Sequence, residues 1–234
     1  MIRVPVLSAV ARFCQRGIGF ALLMAASTAA APVPSTTGPA TTAQAPSTSI
    51  PQSSLAIPAV TRVANWVKTS ADNAGLAFII VDKRSARVFA FSADGALLGT
   101  APALLGAARG DVNPPGIGDR PLAEIGPHDR ITAAGRYVAQ LGNDLGKADI
   151  LWVDYSAGLS LHRVIAGRPS DQRRRRLMSP AVDDNRISYG CINVPAEFFD
   201  TVVVPLFRAT TGIVYVLPED KPLEAVFPLT AAKG

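Results

Sequence analysis

Cysteine and histidine are the scarcest reactive residues in this chain. Its 234 residues hold only Cys14 and Cys191, His128 and His162. So few soft ligands, set far apart, exclude a disulfide-stapled framework and make a poor ligand set for zinc. No metal and no other cofactor is expected. Beyond the first thirty residues no apolar run approaches the roughly twenty residues that a spanning helix needs. A large charge excess is missing too. The net charge is +5, from 23 basic and 18 acidic residues, and Arg3, Arg12 and Arg16 of that excess lie in an acid-free N-terminal segment. Without that segment the chain is close to neutral, so no nucleic-acid partner is expected.

What is present at the N-terminus has the layout of a targeting segment. The three arginines are followed by the apolar run Ile18 to Ala26 and then by Ser27-Thr28-Ala29-Ala30-Ala31. Residues 1–31 read as a secretory signal peptide cut after Ala30 or Ala31. An uncleaved anchor is the rival, and the shortness of the apolar run favours cleavage. The expectation is an exported protein of the periplasm or cell envelope, without a stable membrane span. Cleavage removes Cys14 and leaves Cys191 as the only thiol. An unpaired cysteine in an oxidising compartment points to a reactive nucleophile or an intermolecular bridge; a buried inert cysteine is the alternative. Residues 32–56, rich in Pro, Ser, Thr, Ala and Gln, bury too little apolar surface to offset their ordering entropy and read as a disordered leader.

From residue 57 the pattern changes. Val60, Val63, Ala64 and Val67 recur at helical spacing, and the helix is expected over 57–75. Leu76 to Val81 is a short apolar run suited to a buried strand. A turn at Asp82 to Ser85 leads to a strand at Arg87 to Phe91, and Ala93-Asp94-Gly95 turns a hairpin toward Leu97. Arg109 to Arg130, rich in Gly, Pro and Asp, reads as a long loop of the kind that is often functional. Further strands are expected at Ala134 to Leu141, Asp149 to Asp154 and Gly158 to Ile165. A short helix follows at Ala196 to Val204, with its end or a kink at Pro205, then a closing strand at Gly212 to Leu217. The reading is a mostly-β single domain over 76–220 with a few short helices and a tail at 221–234.

The chemistry concentrates at Asn185-Arg186-Ile187-Ser188-Tyr189-Gly190-Cys191-Ile192-Asn193-Val194-Pro195. A cysteine attacks carbonyls as its thiolate, so it needs a partner that takes the proton. His162 lies on the alternating segment Leu159-Ser160-Leu161-His162-Arg163, whose polar residues share one side; a hydrogen-bonded structural histidine is the alternative. His128, within Gly126-Pro127-His128-Asp129, reads as a turn or surface residue. Gly190 permits close backbone approach beside the thiol. Backbone N–H groups of Tyr189, Gly190 and Cys191 could then converge on an oxyanion.

Ser188-Tyr189-Gly190-Cys191-Ile192-Asn193 resembles the Ser/Thr-His-Gly-Cys-apolar-Asn/Arg signature of the L,D-transpeptidase catalytic domain. Leu161-His162 is similar to that family's upstream histidine. Ile131-Thr132-Ala133-Ala134-Gly135-Arg136-Tyr137 resembles its Thr-Pro-x-Gly-x-aromatic segment, with Ala133 in place of proline, and Ile80 to Phe89 resembles its opening hairpin. The resemblance runs from about residue 76 to residue 217. It implies a β-sandwich- or barrel-like fold and a monomeric cell-wall enzyme acting on peptidoglycan stem peptides, with roles in wall organisation and cell shape. It also implies that His162 takes the proton of Cys191, that the Arg163 carbonyl orients the imidazole, and that a thioester forms as terminal D-alanine leaves and an amine resolves it. Ser188, Tyr189, Asn193 and Arg186 would contact substrate, with turn stabilisation as the other reading of Ser188 and Asn193.

Two departures stand out. Tyr189 occupies the place of the motif histidine, which bears on the pocket wall and on substrate choice. The interval from His162 to Cys191 is longer than is usual in the family, as an insertion around Gly167 to Asp184 would make it. Within it, Arg173-Arg174-Arg175-Arg176 reads as a solvated face or as a lid that draws in carboxylates. With water as acceptor the same residues make an L,D-carboxypeptidase or amide hydrolase. A catalytically silent wall-binding module is the reading of another class.

Overall fold

The structure is a computed structural model that describes residues 58–143 and 149–229. The expected signal peptide, the leader and the end of the tail lie outside the described residues. Helix α1 (Pro58–Ser70) buries Val60, Val63, Ala64, Trp66 and Val67. Each apolar side chain fully buried here is worth about 1.5–3 kcal/mol. The helix is shorter than expected from the sequence. The hydroxyl of Ser70 donates back to the Trp66 carbonyl, and Ala71, Ala74 and Gly75 take positive φ, so the chain turns there instead of coiling on.

The strands are β1 (Phe78–Asp82), β2 (Arg87–Phe91), β3 (Leu97–Pro102), β4 (Leu105–Gly106), β5 (Gly135–Asn143), β6 (Asp149–Asp154), β7 (Leu159–Arg163), β8 (Arg186–Ser188), β9 (Ile192–Val194) and β10 (Gly212–Val216). Eight of them form one sheet in the order β3-β2-β1-β10-β5-β6-β7-β9, and β4 pairs with β8. The fold is mostly β, as expected. Most neighbours are antiparallel, but β1 runs parallel to β10 and β7 parallel to β9. Leu104 and Asn193 exchange backbone hydrogen bonds of 2.8 and 2.9 Å, so the segment that follows edge strand β3 is tied to edge strand β9. That link draws the two ends of the sheet together.

Alternation along β1 explains its continuous apolar sequence. Ile79 and Val81 join a core with Val88, Leu151, Leu161, Ile192 and Val214. Phe78 and Ile80 face the other way, against α1 and Phe227. Both faces of β1 are covered, so all five of its residues are buried. The first core is closed by the segment after β9. There α3 (Ala196–Phe198), a π-helical turn (Phe199–Val203) and α4 (Val204–Phe207) run on without a break. Pro205 therefore does not end the helix; it sits in the first turn of α4, just after the π turn. The wider π turn just before it takes up the missing N–H and the bulk of the ring. Among the described residues no helix is long and apolar enough to cross a membrane.

The turn expected at Asp82 to Ser85 holds an unforeseen feature. Lys83 has no exposed surface; its ammonium donates to Asp111 Oδ1 at 2.7 Å and to the Thr132 carbonyl at 3.0 Å. Asp111 also accepts the backbone N–H groups of Glu219, Asp220 and Lys221. The long loop 109–130, which carries three short 3-10 turns, is thus pinned at its start to the hairpin and to the chain that follows β10.

Candidate active site

Parallel register sets the site. In β7 and β9, His162 is the direct partner of Asn193 and Leu161 of Ile192. Leu161 and Ile192 point into the core, so the side chains of His162 and Asn193 emerge together on the opposite face. Ser160, two residues before His162, shares that face. Cys191 precedes β9 at the end of a tight turn. Gly190 there has φ +128°, and a Cβ on it would lie 2.8 Å from the Ile131 carbonyl oxygen; the turn requires glycine.

The turn is fastened from several sides. Fully buried Thr132 accepts the Gly106 N–H at 2.9 Å and donates to the Gly190 carbonyl at 2.7 Å. Ser188 Oγ donates to the Cys191 carbonyl at 2.6 Å and accepts the Gly190 N–H at 3.1 Å. Asn193 Nδ2 donates to the same Cys191 carbonyl at 3.2 Å. Such bonds hold the backbone on both sides of the thiol, which limits where Sγ can go.

Cys191 is partly exposed and unpaired. Ser160 Oγ donates to its sulfur at 3.5 Å, and the sulfur lies 3.5 Å from the Gly158 carbonyl. Burial pushes the thiol pKa up, but the neighbouring His162 and the Ser160 hydroxyl outweigh it and hold the thiol below its ordinary value. His162 responds in the reciprocal sense. Burial lowers its pKa, whereas the neighbouring Cys191 and the Arg163 carbonyl give a net upward shift. Its Nδ1 lies 2.7 Å from the Arg163 carbonyl oxygen. An N–H must sit between those atoms, which assigns the proton to Nδ1 and leaves Nε2 with its lone pair. Arg163's guanidinium is occupied elsewhere, on Asp200 and over the Phe199 ring.

Both groups open into a cleft of about 620 Å³, lined beyond them by Leu122, Ile150, Trp152, Val164 and Ile165. The walls are largely apolar, with Asp149 as a carboxylate among the lining residues. An acyl group entering here would leave water behind on one side and meet the sulfur on the other.

The sequence-predicted residues do not all converge. Cys191, His162 and the Arg163 carbonyl stand together, with Asn193 beside the ring. Ser188 is buried and fastens the turn. The Gly190 N–H, expected among three oxyanion donors, is taken by Ser188 Oγ. Tyr189 is 39% exposed and stacks under the Arg130 guanidinium, 3.9 Å from the ring centroid, beside the long loop. Arg186 is not among the residues lining this cleft: it is bound to Glu219 Oε2 at 2.5 Å and to the Lys83 carbonyl at 2.9 Å, in a buried ion pair. His128 lies in a short 3-10 turn of the long loop. Among the described residues no cluster of His, Cys, Asp or Glu has the arrangement to hold a metal ion.

Ser160, Thr132 and Arg173 are site residues that sequence reasoning passed over. The alternation around His162 carried a signal for Ser160. Thr132 belonged to a recognised segment without an assigned role. Arg173 was one of four arginines read together as a solvated face or a lid. It is instead buried.

No protein-family model matches the chain, and no curated protein does. Solved structures do resemble it. The L,D-transpeptidase LdtMt1 in complex with imipenem aligns at 17% identity over 60% of this chain and 58% of its own, with a TM-score of 0.34. The helical cell shape determining protein Pgp2 from Campylobacter jejuni aligns at 14% identity over 67% and 55%, TM-score 0.41. An Enterococcus faecium L,D-transpeptidase variant aligns at 17% identity over 60% and 49%, TM-score 0.31. This chain thus spans about half the length of the structures it resembles.

Proposed function

We propose that this protein is an exported cysteine acyltransferase of the L,D-transpeptidase type, acting on peptidoglycan stem tetrapeptides in the periplasm or cell envelope. The observation that carries the reading is the pairing of a lowered thiol with an imidazole whose Nδ1 is bound to the Arg163 carbonyl. It is joined by the Ser188 to Asn193 motif that surrounds the thiol.

In this scheme Nε2 of His162 takes the proton of Cys191, and the sulfur attacks the carbonyl preceding a terminal D-alanine. A C–S bond forms, the peptide C–N bond breaks, and the imidazolium gives its proton to the departing amine. An amine of a second stem then attacks the thioester, an amide forms and the thiol is regenerated. The N–H groups of Tyr189 and Cys191 serve the oxyanion, because that of Gly190 is already engaged by Ser188. Ser188 and Asn193 act by holding the turn, and Tyr189 with Arg130 forms an exposed platform where substrate arrives from the loop side.

The test is covalent trapping. Incubated with a carbapenem, the mature domain is expected to gain one adduct on Cys191 by intact-protein and peptide mass spectrometry, slower in His162→Ala and absent in Cys191→Ala. An unmodified wild-type protein whose thiol also resists simple alkylation would leave a wall-binding module. Given trapping, stem tetrapeptides divide the acceptors: cross-linked or exchanged products mark the transferase, and bare loss of D-alanine marks a carboxypeptidase.

A further inference from the structure

The insertion between β7 and β8 delivers one side chain into the site from behind. Arg173 opens a five-residue helix, α2 (Arg173–Leu177), and its side chain is 10% exposed. Its Nη1 donates to Asn193 Oδ1 at 3.2 Å and its Nε to Asp171 Oδ2 at 3.3 Å. The preceding loop is shaped around it. Asp171 Oδ2 also accepts the Arg168 N–H, Gln172 takes φ +47°, and a Cβ on Gly167 would meet Arg173 Nε and Asp171 Oδ2, each at 2.7 Å.

A guanidinium only donates, so the atom of Asn193 that faces it must be the oxygen. The amide nitrogen is thereby turned to the other side, 3.4 Å from His162 Nε2 and 3.2 Å from the Cys191 carbonyl. An N–H facing Nε2 favours the ring form whose lone pair is there. The Arg163 carbonyl selects the same form from the Nδ1 side. At 3.4 Å the amide orients the ring without sequestering the lone pair that the thiol proton needs.

We propose that Arg173 is a positioning residue: acting through Asn193, it holds His162 in the Nδ1–H form with Nε2 open to Cys191. This rests on the Cys191–His162 reading but not on which acyl acceptor is used. The charged and titratable groups that face or flank the ring are Cys191 from the turn, Arg173 from the insertion, Asp149 on β6 and Arg163, whose guanidinium is paired with Asp200. Of these the positive charge of Arg173 opposes the imidazolium. Without the guanidinium that opposition is lost, and the amide is free to turn its oxygen toward a protonated ring.

The experiment follows ring nitrogens and thiol in the full domain, with no wall substrate. Nitrogen-15 NMR of His162 is recorded across pH for wild type, Arg173→Leu and Arg173→Lys, beside the pH profile of Cys191 alkylation by iodoacetamide. Wild type is expected to show protonated Nδ1 and bare Nε2 in the neutral ring. In Arg173→Leu the two forms mix and the imidazole titration moves up. Alkylation at neutral pH changes about 3- to 10-fold, and Arg173→Lys restores most of the wild-type pattern. Should Arg173→Leu unfold, Asp171→Asn loosens the same anchor while leaving the charge in place, and a mixed ring is again expected. A folded Arg173→Leu or Asp171→Asn protein with wild-type ring nitrogens and an unmoved profile overturns the proposal. A wild-type thiol no more reactive than free cysteine overturns the catalytic reading instead.

Discussion

The two ends of the segment from Arg186 to Asn193 belong to polar clusters built on opposite plans. At the Arg186 end, charges are buried and matched. Lys83 lies against Asp111 with Glu219 at 3.6 Å, and Glu219 takes Arg186 as well as Arg109. At the Asn193 end, the Cys191 sulfur has two contacts at 3.5 Å, and the nearby imidazole has only the Asn193 amide, at 3.4 Å, against its Nε2. The first cluster leaves its charges nothing to do but hold loop 109–130, the first hairpin and the chain after β10 in one place. The second is held just as firmly in its backbone, through Ser188, Thr132 and Asn193, while the reactive atoms themselves are left lightly engaged. Thr132 serves both, with its carbonyl on Lys83 and its hydroxyl on the Gly190 carbonyl. A buried ion cluster can thus be the footing of the turn that carries Cys191 without touching its side chain.

That contrast breaks if either cluster does the other's work. The largest separation should come from Cys191→Ala. Acyl transfer and carbapenem trapping are expected to fall by about four orders of magnitude or more, while the urea midpoint stays near wild type. Asp111→Asn should do the reverse: breaking a buried pair costs about 3–5 kcal/mol, read as a lower midpoint, with the thiol alkylation profile of the folded fraction unchanged.

Acid sharpens the same division. Burial alone would raise the Asp111 carboxyl, but Lys83 and the backbone N–H groups of Glu219 and Lys221 bring it down to about 2. A depressed carboxyl contributes stability that is whole above its unfolded value of about 4 and is lost as pH falls through about 2. Wild type should therefore lose about 2 kcal/mol across that window by urea titration, and Asp111→Asn much less. The thiol follows a different pH. Held below its ordinary value, Cys191 should alkylate faster than free cysteine at neutral pH and slow as pH drops through its lowered pKa. The smallest change belongs to Ser160→Ala. Removing the hydroxyl that stabilises the thiolate should raise the thiol pKa and slow alkylation about 3- to 10-fold, with no effect on acid stability.

Much of this was legible in the chain. Alternation and short apolar runs announced most of the strands, because a pleated strand must repeat every two residues. The pattern also placed His162 and Ser160 on one side. Scarcity pointed to Cys191, since no other thiol would remain were the expected signal peptide cleaved. Arg186 and Arg173 show where that reading stopped. Both are arginines near the motif, and nothing local distinguishes them. Arg186 was expected at the substrate and is paired with Glu219 from beyond β10; Arg173 was expected in solvent or on a lid and is buried against Asn193. Lys83 looked like an ordinary turn residue.

The chain by itself singled out Cys191 as the candidate sulfur, His162 as its candidate imidazole and the mostly-β framework, because these depend on residue type and local period. Only the tertiary structure decided which charges are neighbours. Lys83 pairs with Asp111, 28 positions away, and with Glu219, 136 positions away, and no local pattern encodes a partner brought in by sheet closure and loop docking.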